Sequence, residues 1–281
     1  MDFKPGLYVV STPIGNIEDI SFRAIETLKH SDVIFCEDSR VTAKLLEIYN
    51  IKKKLLIYND HSKEQDRIKI LKLILEGKII SLVSDAGTPL ISDPGYKLLE
   101  YLRENNVAID IIPGPCSIIA ALILSSLPTD QFYFGGFIPK TSISIRKFFE
   151  KVKNLESTLV FFDTARSVVK NLKIAQQIYG DRKSSIVREI TKLFQESQSS
   201  NISTLIEIYN EKPPKGEIVL VIEGKKNESI DIRNIKNKLE LLIKKELSVK
   251  DIVKIISIEY PEYKKTQIYK EIIKIKIFSP E

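Results

Sequence analysis

The sequence has few of the residues that build disulfide-rich or metal-binding proteins. Its 281 residues include two cysteines, two histidines and no tryptophan. Cys36 and Cys116 stand far apart, so neither a disulfide framework nor a cysteine zinc site is expected. With only His30 and His61, a metal site of several histidines is excluded, and a Ser-His-Asp triad has just two possible bases. We therefore expect a protein that uses no metal.

Long apolar runs are also missing. No uncharged apolar run reaches the roughly 18 residues that a membrane span needs. The first five residues, Met1-Asp2-Phe3-Lys4-Pro5, lack the basic and then apolar layout of a signal peptide. The sequence therefore predicts a cytoplasmic protein with no membrane partner.

Two common nucleotide-binding motifs are absent as well. There is no Gly-x-Gly-x-x-Gly, and Gly77-Lys78 is followed by Ile79-Ile80 rather than by the Ser or Thr of a P-loop. Nicotinamide dehydrogenases and P-loop NTPases are therefore poor fits to this chain.

What the sequence does have is an ordinary globular composition with an uneven distribution of charge. Apolar residues make up 43% and charged residues 28%, and the net charge is +6. Residues 1–125 carry 15 basic and 17 acidic side chains, residues 126–225 carry 15 and 11, and residues 226–281 carry 13 and 9. The two basic regions are compatible with an RNA or DNA partner, and equally with an ordinary lysine-rich surface.

The pattern of segments predicts three domains. Strand-like and helix-like runs alternate over residues 1–125, which favours an α/β domain with a mainly parallel sheet. A second α/β domain is predicted over residues 126–225, and three short helices are predicted over residues 226–281. In the first domain, Asp93 before Pro94 predicts the N-cap of a helix.

Three loops of small residues each follow a predicted strand. They are Thr12-Pro13-Ile14-Gly15-Asn16, Asp85-Ala86-Gly87-Thr88-Pro89 with Ser92-Asp93-Pro94-Gly95, and Pro113-Gly114-Pro115-Cys116-Ser117. Small side chains let backbone amides reach a ligand. One such loop alone is more simply a tight turn. Because the carboxyl ends of parallel strands meet at one edge of a sheet, three of them predict a shared ligand pocket.

The strings around these loops resemble a known family. LYVVSTPIGNIEDISFRAIETLKHSDVIFCEDSR, SLVSDAGTPLISDPGYKLL and IIPGPCSIIAAL are similar to the S-adenosylmethionine-dependent tetrapyrrole methylase superfamily, the class III methyltransferases. The nearest branch is that of the 16S rRNA (cytidine-2′-O)-methyltransferases. The similarity continues through DQFYFGGFIPK, IVREITKLF and KGEIVLVIEG, and so covers about residues 5–225.

The resemblance implies a two-domain α/β methyltransferase with a small helix-turn-helix-like C-terminal module. It implies a homodimer that binds S-adenosylmethionine in the interdomain cleft and methylates the ribose 2′-hydroxyl of a decoding-centre cytidine in 16S rRNA, within the small ribosomal subunit. It also implies that the three loops supply the cofactor-binding residues, namely Pro13, Ile14, Gly15, Asn16, Asp85, Ala86, Gly87, Thr88, Pro89, Pro113, Gly114 and Ser117.

One loop departs from the pattern of that branch. A Glu-Ser-Pro-His-Arg run usually follows the Thr-Leu-Val-Phe strand, and this chain has Asp163-Thr164-Ala165-Arg166-Ser167 instead. The acidic residue persists as Asp, the His is replaced and the Arg is shifted. Substrate handling by this loop is therefore expected to differ.

Charged residues at strand ends are the candidates for the chemistry. A ribose hydroxyl is a poor nucleophile until its proton leaves. We expect one carboxylate among Glu37, Asp38 and Glu189 to orient or deprotonate it, with Arg40 beside the first two. Interdomain salt bridges are an equally weighted alternative for these residues, and Asn59-Asp60-His61 is a weaker third candidate.

Basic side chains near the cleft are expected to hold RNA phosphates. The candidates are Lys140, Arg146, Lys147, Arg166, Arg188 and Lys192, with Arg182 and Lys183 nearby. A second footprint is expected on the C-terminal module at Lys244, Lys245, Lys250, Lys264 and Lys265, unless these only form a solvated helix face.

Two other functions remain open at this point. A small-molecule methyltransferase acting on a tetrapyrrole would share the fold, but it has no need of a basic third domain. A non-catalytic RNA-binding protein would have no reason to keep three intact cleft loops. Binding of S-adenosylmethionine separates the enzymes from the binding protein.

Overall fold

The structure is a computed structural model that describes residues 3–226, 235–261 and 263–278. The chain forms two compact units, Met1–Gly224 and Lys225–Glu281. The first unit contains two five-stranded sheets. The predicted domain boundary near residue 125 falls inside this unit and stays a prediction, as does the boundary at residue 225.

All pairings in the first sheet are parallel, as the buried apolar runs predict. Its strands are β1 (Gly6–Val10), β2 (Val33–Cys36), β3 (Lys54–Ile57), β4 (Ile79–Val83) and β5 (Ile109–Ile112). Their order across the sheet is β3-β2-β4-β1-β5. Because β4, β1 and β5 are neighbours, the loops that follow them leave the same edge side by side.

The helices of this part alternate with its strands, as the sequence predicts. They are α1 (Phe22–His30), α2 (Ser39–Ile48), α3 (Glu64–Leu75), α4 (Tyr96–Glu104) and α5 (Ser117–Leu124). The Ser21 hydroxyl caps α1, since it accepts a hydrogen bond from the Ala24 N–H at 3.1 Å. Gly77, with φ of +87°, supplies the left-handed residue just after α3.

The prediction that Asp93 caps α4 is wrong. The N-cap is Gly95, with φ of +136°, and α4 begins one residue later. Leu90 and Ser92 also have positive φ, at 74° and 66°. The chain therefore turns sharply between Leu90 and Gly95, and Pro94 lies before the helix instead of opening it. Asp93 does not cap the helix and instead lines a cavity.

The second sheet is mixed. Its strands are β6 (Phe132–Phe137), β7 (Thr158–Thr164), β8 (Lys183–Arg188), β9 (Glu196–Asn201) and β10 (Glu217–Ile222), in the order β6-β7-β10-β8-β9. Only β6 and β7 pair in parallel. The sequence Glu-Ser-Gln-Ser-Ser-Asn of β9 carries no apolar signal, so this strand was not predicted. Its Ser197 and Ser199 hydroxyls donate to the carbonyls of Leu124 and Ser125.

Helices cover both faces of the second sheet. The helices α6 (Ser142–Val152), α7 (Val168–Tyr179) and α8 (Ile202–Glu211) pack against one face, where β10 contributes Ile218, Leu220 and Ile222. Helix α5 packs against the other face through Ile118, Ala121 and Leu122, opposite Val219 and Val221 of β10. Helix α5 directly follows β5 of the first sheet, so it joins the two sheets.

The second unit has the three helices that the sequence predicts. They are α9 (Lys236–Lys244), α10 (Val249–Glu259) and α11 (Lys265–Phe278). Their shared core includes Leu239, Ile252, Ile256, Ile268 and Ile272. The Ser248 hydroxyl accepts a hydrogen bond from the Asp251 N–H and caps α10. Over all the described residues, no helix has the length and apolar character of a membrane span.

Candidate active site

The three predicted loops are hydrogen-bonded to one another at the carboxyl edge of the first sheet. Thr12 and Gly87 exchange two backbone hydrogen bonds, of 2.9 and 3.0 Å. The Ser11 and Thr88 hydroxyls lie 3.0 Å apart, and the Thr88 hydroxyl also lies 3.1 Å from the Pro115 carbonyl. The loops after β1, β4 and β5 therefore form one rigid rim.

Glycine is required at two points of this rim. Gly87 has φ of +79°, which side chains disfavour. A Cβ on Gly114 would stand 2.9 Å from the Ser11 Cβ. These glycines let the three loops approach each other closely.

The loop after β1 also contacts the second sheet. A Cβ on Gly15 would lie 2.8 Å from the Ile190 carbonyl oxygen, and the Asn16 N–H donates to the Thr191 hydroxyl at 3.0 Å. Gly15 and Asn16 therefore fasten the rim of the first sheet to the segment that follows β8.

A cavity of about 480 Å³ lies between the two sheets, within the size range of small-molecule sites. Its wall combines the rim of the first sheet with the ends of β6, β7, β8 and β10. The lining residues are Ile14, Glu37, Asp85, Ala86, Gly87, Thr88, Ile91, Ser92, Asp93, Cys116, Ser117, Ile118, Phe137, Phe162, Asp163, Thr164, Glu189, Ile190, Gly216, Glu217, Ile218 and Val219.

The structure places half of the predicted cofactor residues in this wall. Those that line the cavity are Ile14, Asp85, Ala86, Gly87, Thr88 and Ser117. Those outside the wall are Pro13, Gly15, Asn16, Pro89, Pro113 and Gly114. The second group belongs to the same loops, where Gly15, Asn16 and Gly114 make the close backbone contacts described above.

Three carboxylates of the first sheet's loops face the cavity without a lysine or arginine in its wall, among the residues that the structure describes. Glu37, Asp85 and Asp93 all have raised pKa values. The largest cause is burial, and their mutual repulsion adds to it at Glu37 and Asp93. This side of the cavity therefore carries negative charge, which Arg40, outside the wall, offsets only at Asp85 and only in part.

Two of the second sheet's carboxylates, Glu189 and Glu217, pair with a lysine just outside the wall. The Lys192 ammonium donates to Glu189 at 3.1 Å and to Glu217 at 2.7 Å. Glu189 also accepts from the Glu217 N–H at 3.0 Å, and these contacts lower its pKa. A Cβ on Gly216 would come within 2.3 Å of Glu189 Oε1, so Glu189 is held tightly against the chain before β10.

The loop that departs from the family pattern also contributes to the wall. The Asp163 carboxylate is only 6% exposed. It accepts hydrogen bonds from the Ser167 hydroxyl at 2.6 Å and from the Asn171 amide at 2.9 Å. Burial nevertheless raises its pKa. Asp163 thus fixes the start of α7 and the position of Thr164, which also lines the cavity.

Asp38 and Arg40, predicted beside Glu37, lie outside the cavity wall and bind each other. The Arg40 guanidinium donates to both carboxylate oxygens of Asp38, which lowers the pKa of Asp38 to about 2. Asp38 also caps α2, and its N–H donates to Asp85 at 3.0 Å. A role for this pair in the chemistry stays a prediction.

The segment Asn59-Asp60-His61 also lies outside the wall. The Asn59 side chain accepts from the His61 N–H and shapes the turn after β3. Asp60 is close enough to raise the pKa of Glu37 and of Asp93. This segment therefore adds negative charge near the first sheet's side of the cavity.

The predicted RNA-binding residues fall into two groups. Lys140, Lys147 and Arg166 are exposed, and so is Arg146, which bonds Gln177. Arg188 instead pairs with Glu196 at 2.6 Å, and Lys192 bridges two glutamates.

The other basic candidates divide in the same way. Arg182 donates to the carbonyls of Lys153 and Glu223 and lies over the Tyr179 ring, which makes it part of the packing. Lys183 is exposed at the start of β8. In the helical unit, all the predicted lysines are exposed, namely Lys244, Lys245, Lys250, Lys264 and Lys265.

Several wall residues were not predicted. Phe137, Phe162, Gly216 and Val219 reach the cavity only because β6, β7 and β10 end beside it. The pair Gly135-Gly136 was the one available signal, since glycine inside a strand marks an irregularity.

Comparisons with known proteins agree with this geometry. The family model of the tetrapyrrole (corrin/porphyrin) methylases matches residues 6–206. A Rickettsia prowazekii (strain Madrid E) protein named ribosomal RNA small subunit methyltransferase I is 49% identical, over 98% of this chain and 99% of its own length. Proteins of the same name from Thermotoga maritima and Haemophilus influenzae are 41% and 37% identical, over 78% and 94% of this chain and 98% and 94% of their own lengths.

Solved structures share the fold of the first unit. A diphthine synthase matches with a TM-score of 0.62 at 15% identity, over 78% of this chain and 90% of its own. A uroporphyrin-III-C-methyltransferase from Thermus thermophilus matches with a TM-score of 0.56 at 16% identity, over 78% and 94%. At such identities the likeness shows the fold alone.

Proposed function

The chain belongs to the tetrapyrrole (corrin/porphyrin) methylase family, among its ribosomal RNA small subunit methyltransferases I, and from this premise we propose its reaction. We propose that it uses S-adenosylmethionine to methylate the ribose 2′-hydroxyl of a decoding-centre cytidine in 16S rRNA, within the small ribosomal subunit. The relatives' shared name supports the rRNA substrate. The acidic cavity is the structural observation that carries the cofactor assignment.

The cavity suits this cofactor in size and in charge. Its volume is about 480 Å³. S-adenosylmethionine carries a sulfonium and an ammonium, and Glu37, Asp85 and Asp93 supply the negative charge that such cations favour. The backbone of Ala86 and Gly87 and the hydroxyls of Thr88 and Ser117 line the same space and would hold its polar groups. When bound, the cofactor supplies an electron-poor methyl group to an aligned oxygen nucleophile.

Two carboxylates in the cavity wall are placed to accept the proton of the ribose hydroxyl or to orient that hydroxyl. Glu37 lines the cavity, and burial raises its pKa in the protein without cofactor. A cofactor cation beside it would favour its ionised form, which is the form that accepts a proton. Glu189 has a lowered pKa and is held by Lys192 and the Glu217 N–H. We assign Glu37 to accept the ribose proton and Glu189 to orient the hydroxyl. Asp38, which Arg40 already binds, is the weaker candidate.

The exposed cations support a surface for the RNA backbone. Lys140, Lys147 and Arg166 are exposed and form no salt bridge among the described residues. Lys140 and Arg166 follow β6 and β7, which end at the cavity, and Lys147 lies on α6. Arg188 and Lys192 are assigned instead to holding the second sheet, because their charges are already paired. Phosphate contacts of the first group predict binding that weakens steeply with salt.

The helical unit supports a second RNA footprint. Lys250, Lys265 and Lys270 line a groove of about 530 Å³ together with the exposed Tyr269. Lysines around an aromatic side chain are typical of surfaces that bind nucleic acid. Charge reversal at Lys250 and Lys265 should raise the Kd for small subunits and leave the Kd for S-adenosylmethionine unchanged. If that variant binds small subunits with the same Kd as wild type, the helical unit does not contact the RNA through these lysines.

We also propose that the protein acts as a homodimer. Helix α5 exposes Ile119 by 43% and Ile123 by 67%, on the face next to that of its buried Ile118 and Leu122. Exposed apolar side chains on one helix face favour a protein contact. Sedimentation should give a dimer that Ile123→Lys dissociates. A monomeric wild-type protein at micromolar concentration would contradict the dimer.

The reaction is tested by transfer of a labelled methyl group to small ribosomal subunits from a strain that lacks this gene. We expect the label in 2′-O-methylcytidine after nuclease digestion and chromatography of the nucleosides. Large subunits serve as the matched control and should stay unlabelled. Label on a base, or none in 16S rRNA, would refute the proposed reaction.

A further inference from the structure

Phe137 is an unusual part of the cavity wall, because its side chain is 62% exposed although it lines the cavity. It stands at the end of β6, next to the deeper Phe162. A single exposed phenylalanine needs no explanation on an ordinary surface. Here the backbone and the neighbouring rings hold it in place.

A β-bulge directs Phe137 toward the cavity. The β6–β7 pairing runs regularly to Phe134 and then shifts, so that Phe137 lies opposite Phe162. Gly135 is needed at this point, because a Cβ there would lie 2.6 Å from the Phe161 ring. Gly136 has φ of +72°. Bulges re-aim side chains beside functional sites, and this one is built from two glycines in succession.

A second aromatic ring supports Phe137 from inside. The centroids of the Phe137 and Phe162 rings lie 5.1 Å apart at 58°, and Phe134 contacts Phe162 in turn at 5.0 Å. This row fixes the orientation of the outermost ring. The exposed part of Phe137 is therefore a preformed apolar surface at the mouth of the cavity.

Hydrogen-bonding groups lie beside this surface. Thr164 on β7 is paired with Glu217 on β10, and both line the cavity. The Glu217 carboxylate is 81% exposed, with Lys192 on one oxygen. A carboxylate is the natural acceptor for the exocyclic amino group of cytosine.

Positively charged side chains follow Phe137 and Thr164 closely in the sequence. Lys140 is three residues after Phe137, and the Lys170 ammonium contacts the Lys140 carbonyl at 3.3 Å. Arg166 is two residues after Thr164 and is exposed. An aromatic surface with polar groups beside it and cations around it is how proteins hold an unstacked RNA base.

We propose that Phe137 stacks on the unstacked base of the target nucleotide, with Thr164 and Glu217 reading its edge and Lys140 and Arg166 on the adjacent phosphates. This inference rests on the proposed methylation of RNA. It assigns the ring to the substrate rather than to the cofactor, because the ring remains 62% exposed although it lines the cavity.

The test compares Phe137→Leu and Phe137→Tyr with the control Phe22→Leu, whose phenylalanine is 91% exposed outside the cavity. We expect Phe137→Leu to lower kcat/KM for small subunits by about 5- to 150-fold, the range given by loss of one base stack. Phe137→Tyr should keep most of the activity. By calorimetry without RNA, all variants should bind S-adenosylmethionine within about twofold of wild type.

The other outcomes separate this inference from the proposed function. Unchanged kcat/KM in a folded Phe137→Leu variant would refute the stacking role, while an equally weakened cofactor Kd would assign the ring to the cofactor's adenine instead. A wild-type protein that transfers no label to small subunits would refute the proposed function itself. Thermal unfolding of each variant confirms that it is folded.

Discussion

The two sides of the cavity carry the same kind of side chain in opposite electrostatic conditions. On the first sheet's side, Glu37, Asp85 and Asp93 have raised pKa values because they are buried near one another. On the second sheet's side, Lys192 binds both Glu189 and Glu217, and the pKa of Glu189 is lowered. We infer that the first side binds a cation from outside the protein, whereas Lys192 already pairs with two carboxylates of the second side. The third carboxylate of the second side, Asp163, is held by Ser167 and Asn171, and burial raises its pKa.

The largest effect should come from removing charge on the first side. The double variant Glu37→Gln, Asp85→Asn keeps the shape of both side chains and removes two negative charges. We expect the Kd for S-adenosylmethionine to rise about a hundredfold, at about 1.4 kcal/mol per charge. Asp130→Asn, at an exposed position, is the matched control. If calorimetry finds the same Kd for S-adenosylmethionine in wild type, the double variant and Asp130→Asn, the carboxylates of the first side do not bind the cofactor's positive charge.

A smaller effect should follow when the second side loses its lysine. Lys192→Met leaves Glu189 and Glu217 without their shared cation, and we expect a loss of about 1 kcal/mol in the free energy of unfolding, since the pair is partly exposed. Urea unfolding measures it. Lys78→Met removes an exposed ion pair of 3.6 Å and should cost less.

The pH dependence of this variant sharpens the same point. Because the folded-state pKa of Glu189 is lowered, its stabilisation is present above the usual glutamate range and is lost as pH falls through the lowered pKa. In Lys192→Met that part of the acid sensitivity should shrink. An acid sensitivity identical to wild type would show that Lys192 does not hold the charge of Glu189.

The smallest effect is expected at Arg40. Its side chain is 86% exposed and binds only Asp38 among the residues that the structure describes. Arg40→Ala should therefore change kcat/KM for small subunits by less than about twofold. A loss of tenfold or more would instead support the prediction, made from the sequence, that Arg40 takes part in the chemistry.

Much of the fold was predictable because apolar runs and caps act locally. Apolar runs such as Val33–Cys36 and Glu217–Ile222 form buried strands. Strand β9 was missed because its serines are held by the carbonyls of Leu124 and Ser125, far away in the sequence. The cap of α4 was misplaced because the positive φ of Ser92 and Gly95 cannot be read from Pro94.

The candidate site was predictable only on one side. Small residues mark the loops after β1, β4 and β5 in the sequence, and hydrogen bonds join these loops in the structure. The opposite wall is made of ordinary residues such as Phe162 and Val219, which no local pattern marks. They converge through the order β6-β7-β10-β8-β9, which depends on contacts between distant segments.

If the carboxylates of the first sheet bind the cationic part of the cofactor, cofactor binding must release protons from them. A bound cation lowers the raised pKa values of Glu37, Asp85 and Asp93, so binding should release protons in the pH window just above the usual carboxyl range. Calorimetry with S-adenosylmethionine in buffers of different ionisation enthalpy counts these protons. We predict a net release of protons in this window and an affinity for S-adenosylmethionine that rises with pH. Glu37→Gln should release fewer protons than wild type. Binding that releases no protons and keeps one affinity across the window would contradict it.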